Sequence, residues 1–173
     1  MQISSQQPTN LNDLSPVSSR LVFHKIPHVV YRTLAAPLPG IQLGEAEQAT
    51  PLGYITLPGY SLVFDALSVA FVVDEDLNNW KEIYNWMTGL GVPKSSDQYA
   101  ALLDETIRPN FGGYYSDASM IIYNNMMVKI QEVKFENCFP ISLTAIEFDS
   151  RSTDINAMQA QATFKYVNYE FVT

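Results

Sequence analysis

The chain has 173 residues, 47% of them hydrophobic, a single cysteine and a net charge of −8. A chain of this size buries about two-thirds of its unfolded surface, so a core needs neither disulfide nor metal. Ten basic residues against eighteen acidic ones, spread singly from Arg20 to Lys165, argue against a nucleic-acid binder, whose affinity rests on clustered Lys and Arg.

Residues 1–18 are rich in Ser, Gln, Asn and Pro without hydrophobic periodicity, and are expected to form a flexible arm. They lack a secretory leader, no segment reaches about eighteen consecutive apolar residues, and Cys138 has no internal partner for a bridge. Residues 19–173 are expected to form one domain, made in a reducing cytoplasm.

Arg20–Ile26 and Val29–Leu34 are β-rich runs separated by Pro27-His28 and predict a hairpin. Leu38-Pro39-Gly40 and Leu57-Pro58-Gly59 each suit a type II turn. Gln42–Pro51, polar and acidic, reads as an exposed loop or weak edge strand.

Leu62–Val73 then alternates, with Val63, Leu67, Val69, Phe71 and Val73 on the likelier core face. At Asp74 the period changes from two to about 3.6. Asp74 is the expected helix cap, with Glu75 and Asp76 adding charge suited to the first turn. Leu77, Trp80, Ile83, Tyr84 and Met87 make one apolar stripe, and Gly89, Gly91 and Pro93 end the helix.

Residues 91–118 form a long irregular insertion, with a short helix expected over Asp97–Glu105 and aromatic surface at Phe111, Tyr114 and Tyr115. Strands follow over Ser119–Tyr123, Val128–Phe139 and Ile141–Phe148, with Pro140 as a break and a bulge near Gln131-Glu132. The last strand places Met158, Ala160, Ala162, Phe164 and Tyr166 on one face; beyond it Val167, Tyr169 and Phe171 leave both faces apolar.

No catalytic set emerges. His24 and His28 lack a nucleophile or metal-spaced partner, Asp74-Glu75-Asp76 lacks a calcium-loop pattern, and Glu147 and Asp149 fit solvated acids beside a turn. Neither catalytic, cofactor-binding nor metal-binding residues are expected. An alternative reading is a monomeric β-sandwich binding carbohydrate, with Tyr114, Tyr115 and Trp86 as stacking platforms.

The order of these elements resembles the tail tube proteins of tailed bacteriophages and the tube proteins of contractile injection systems. The resemblance rests on Leu38-Pro39-Gly40-Ile41, on Leu62–Val73 joined to Leu77–Met87, on Pro140-Ile141-Ser142-Leu143, and on Ala162–Phe171. It spans most of residues 20–171. It implies a mainly β fold with one prominent α-helix, a β-sandwich or barrel whose strands complete a barrel between subunits. It further implies a structural, non-enzymatic virion protein that assembles in the host cytoplasm into hexameric rings, stacked as a conduit for DNA. Partners would be further copies of the chain and possible sheath, baseplate or neck proteins. Under that reading Phe111, Tyr114, Tyr115, Ile121, Tyr169 and Phe171 are candidate subunit-interface residues.

Overall fold

The computed structural model describes residues 13–14, 19–91, 112–148 and 157–172. Its elements in chain order are β1 (Ser19–Phe23), α1 (Pro27–Tyr31), β2 (Thr33–Ala35), β3 (Ile41–Thr50), β4 (Gly53–Phe64), β5 (Leu67–Val72) and α2 (Asn78–Gly91). A short 3-10 turn at Gly112–Tyr114 leads to β6 (Ser116–Tyr123), β7 (Lys129–Leu143), β8 (Gln159–Lys165) and β9 (Asn168–Val172). The fold is mainly β, with a near-closed barrel sheet as the resemblance implied.

The sheet runs β1-β6-β7-β8-β5-β2, with β9 also paired to β7. β7 organises it. Glu132–Glu136 pairs with β9, and Phe139–Leu143 pairs with β8 on the same flank. Its first ten residues pair with β6 on the other flank. The strand passes through Pro140 instead of ending there, because a register shift between Pro140 and Ser142 relieves the ladder of one N–H. A second irregularity falls at Asn137, at φ +55°, a conformation that Asn tolerates better than most residues. A third, between Ile122 and Tyr123 opposite Gln131 and Lys129, lies where the sequence changes phase.

Alternation decides the core. Leu67, Val69, Phe71, Ala162 and Phe164 are fully buried, as are Val133 and Phe135 on β7. Helix α2 packs over them with a rotated stripe: Ile83 and Trp86 are buried, while Tyr84 is exposed. Trp86 stands 6.2 Å from the Phe164 ring, which in turn lies 4.8 Å from Phe23.

Further expectations are corrected. The N-terminal hairpin does not form: Pro27 starts α1 with its preset φ, and the flanking strands go to different neighbours, β6 and β5. The long strand from Leu62 divides at Asp65-Ala66, and its first part belongs to a separate hairpin. α2 opens at Asn78, four residues after the expected cap, and the Asp74 carboxylate instead meets Arg32 at 2.7 Å. The expected helix over 97–105 lies outside the described residues.

Candidate assembly interface

Among the described residues β3 and β4 pair only with each other, from Ile41 opposite Phe64 to Thr50 opposite Gly53. The twelve residues of β4 extend roughly 40 Å at about 3.3 Å per residue. At the tip, Gly53 adopts φ +145°, and the Thr50 hydroxyl donates to the Gly53 carbonyl at 2.6 Å. Leu57-Pro58-Gly59 is not a turn but the site of a bulge, where the register shifts between Leu43 and Glu45. Only glycine fits there: a Cβ on Gly59 would stand 2.5 Å from the Gly44 carbonyl oxygen. Leu38-Pro39-Gly40 likewise has no turn assignment and lies in irregular chain leading into β3.

The root of this hairpin is clamped. The Asp65 N–H donates to the Gly40 carbonyl at 3.0 Å, tying the two strand ends. The Tyr166 hydroxyl donates to the Asp65 carbonyl at 2.7 Å, and the Tyr169 hydroxyl to the Pro39 carbonyl at 3.3 Å. Phe64 meets Tyr169 edge-on with ring centroids 5.4 Å apart, and Phe135 lies 5.1 Å from Tyr166. Burial of the Tyr166 ring pushes its hydroxyl up to about 12, so it remains a donor at neutral pH.

Beyond the root the hairpin is exposed along its length among the described residues. Leu52 and Tyr60 are as exposed as in a free peptide, at 101% and 103%, and Leu43, Tyr54, Ile55 and Leu62 are exposed on both faces. A lone two-stranded ribbon is marginal in water, and a monomer rarely exposes so much contiguous apolar surface. The hairpin is therefore the candidate assembly surface. The sequence reading places Val63 on a core face and Gln42–Pro51 in an exposed loop or weak edge strand, so it does not contain this hairpin. The signal is the absence of any Lys or Arg between Ile41 and Phe64, combined with the strand glycines Gly44 and Gly59.

The interface candidates fall elsewhere. Tyr115 is exposed and packs edge-on against Tyr114 and Phe139 at 6.4 and 5.8 Å. Ile121 is half-buried on β6, opposite Arg20 of β1 and Glu132 of β7. Phe171 is exposed beside Tyr169, with ring centroids 6.0 Å apart, while Tyr169 itself braces the hairpin root. Phe111 lies outside the described residues.

Trp86 is unsuited to stacking on a sugar. It is 2% exposed, its indole N–H donates to the Tyr114 carbonyl at 3.1 Å, and the Lys25 ammonium sits 5.1 Å from the ring centroid. Among the described residues no group of three or more His, Cys, Asp or Glu could hold a metal ion, and no helix is long and apolar enough to cross a membrane.

The family described as phage tail tube protein matches residues 13–172. This chain belongs to that family. The tail tube terminator protein of Enterobacteria phage T4 is 25% identical over 139 residues, 79% of this chain and 74% of that protein. Two solved structures share the fold. The tube terminating cap of the anti-feeding prophage aligns at a TM-score of 0.58 and 16% identity, covering 100% of this chain and 99% of that one. A chain of the PVC sheath-tube complex of an extracellular contractile injection system aligns at 0.56 and 15%, covering 99% of each. The family's role is structural and tube-related, and its members are components of the phage tail and hence of the virion.

Proposed function

We propose that this chain forms a ring of its own copies, a hexamer, at the terminating end of a phage tail tube, with DNA passing through the bore during ejection. The observation that carries this reading is the clamped but uncovered β3–β4 hairpin, which requires a neighbour. The net charge of −8 suits a passage that DNA must traverse without sticking. The likeness to the T4 terminator favours the end of the tube over its repeating part. Sheath, baseplate or neck proteins would be its neighbours, and no substrate would be turned over.

Negative-stain microscopy and mass photometry of the purified protein test this. Rings that remain single and cap separately supplied tubes are expected. Monomers at every salt concentration overturn the ring, and long tubes grown from this chain alone overturn the terminal position.

A further inference from the structure

We propose that residues 1–12 lie over the β6–β7 turn of their own copy and shelter Met126, Met127 and Val128. The turn is an ordered apolar tip. The Asn124 side-chain oxygen accepts from the Met126 and Val128 N–H groups, each at 2.9 Å. The Asn124 N–H donates to the Val128 carbonyl and the Met127 N–H to the Asn124 carbonyl, both at 2.9 Å. Met127 takes φ +60°, which a residue other than glycine adopts only where its surroundings hold it. Met126 and Met127 are nonetheless 85% and 69% exposed, with Val128 and Ile130 exposed beside them. The tip is ordered before anything covers it, so docking onto it loses little further backbone entropy.

The course of the chain identifies the occupant. The Asn125 side-chain amide donates to the Asp13 carbonyl at 3.4 Å, which ties the chain one residue away from Met126. At about 3.3 Å per residue, Leu11 lies within about 7 Å of that tie, so its side chain reaches the tip. Leu14, on the other side of the tie, is exposed. Charge agrees with this placement. Residues 1–12 carry no charged side chain, and neither do residues 124–128. Lys129, the first charge after the turn, is engaged by Glu132. A neutral segment with Met1, Ile3 and Leu11 therefore meets a neutral apolar tip.

Tethering strengthens a contact of this size. A segment joined to its docking site by a few residues is present there at about millimolar local concentration, so a few apolar contacts suffice. Methionine suits such a site, because its unbranched, polarisable side chain adapts to whatever Leu or Ile lies against it. The contact lies within one copy and is expected in the lone subunit, whether or not rings form.

Cross-linking and oxidation test the contact. In L11C/M127C a short bismaleimide is expected to bridge the two sites within one copy. The link is read as a monomer on a denaturing gel and as an internal bridge by peptide mass mapping. Cys138 is buried and does not compete. Independently, deletion of residues 2–12 and L11D in the full chain are each expected to expose the turn. Dilute hydrogen peroxide should then convert Met126 and Met127 to sulfoxides at least fivefold faster than in the wild type. Met120, buried on β6, should resist oxidation in every variant and reports intact folding. A link formed only between copies assigns the turn to a neighbour's segment and overturns the proposal. The absence of any link, or equal sulfoxide rates with and without residues 2–12, overturns it as well.

Discussion

Asn79 reaches back from the first turn of α2 to the end of β5: its side-chain amide donates to the Val72 carbonyl at 2.7 Å. Its Oδ1 accepts from the Asp74 N–H at 3.1 Å. The residue is fully buried, and Leu77 takes φ +58° in the turn that it holds. The strand-to-helix junction is thus fixed by a buried amide and not by the acidic run that precedes it. Asp74 contributes through its ion pair with Arg32.

Replacing Asn79 with Leu keeps the volume but removes the partner of three backbone groups, the Val72 carbonyl and the Asp74 and Trp80 N–H groups. The expected loss of stability is about 2–4 kcal/mol, since each buried unpaired group costs about 1–3 kcal/mol. Asn78→Ala, on an exposed neighbour, should stay within about 0.5 kcal/mol. Urea denaturation at fixed protein concentration measures both, and equal effects would show that the junction does not depend on the Asn79 amide.

The hairpin is expected to separate folding from assembly. Gly59→Ala sets a Cβ against the Gly44 carbonyl oxygen at 2.5 Å, and two backbones cannot part without shifting the register. Gly44→Ala meets Ser61 at 3.4 Å, a contact that small adjustments absorb. Because the affected strands lie outside the core, Gly59→Ala should leave the urea midpoint near that of the wild type while reducing ring formation at least tenfold. Gly44→Ala should retain rings. Loss of core stability in Gly59→Ala would mean that the hairpin folds with the barrel.

Cys138 should be inert. Burial, reinforced by the nearby Asp117 carboxylate, pushes its thiol up to about 12, so almost no thiolate exists near neutral pH. A colorimetric thiol reagent should react only as the protein unfolds, at the rate of unfolding. Rapid reaction of the native protein would contradict the buried placement.

The parts of this fold legible in the sequence are those whose pattern has a single cause. Ala160, Ala162, Phe164 and Tyr166 alternate because one face is buried, and the structure buries it. The hairpin is not legible, because the alternation at Leu62 and Val63 runs on unbroken into the buried β5, although both residues are exposed. Pro27 and Pro140 misled for a related reason. Proline ends a strand as a rule, but it also opens a helix or sits at a bulge, and tertiary pairing decides which. Trp86 falls off the predicted helix stripe, and its buried indole N–H goes to the Tyr114 carbonyl of the 3-10 turn.

The pair joining α1 to α2 should respond to pH. The hydrogen bond from His28 to Glu82, then the Glu82 charge, raises the His28 pKa above 6.5, with a smaller contribution from Asp74. The other Glu82 oxygen is buried without a hydrogen-bond partner, so loss of the imidazolium leaves that carboxylate less compensated. A raised folded-state pKa means the stabilisation is complete below the unfolded value of 6.5 and disappears as pH rises through the folded value. The thermal midpoint of the wild type should therefore exceed that of His28→Gln most between the carboxylate range and pH 6.5, and the two should converge above the folded pKa. Titration of the His28 ring proton by NMR locates that pKa directly. A value at or below 6.5, or a constant gap between the two proteins at all pH values, would show that the His28–Glu82 contact is not an ion pair.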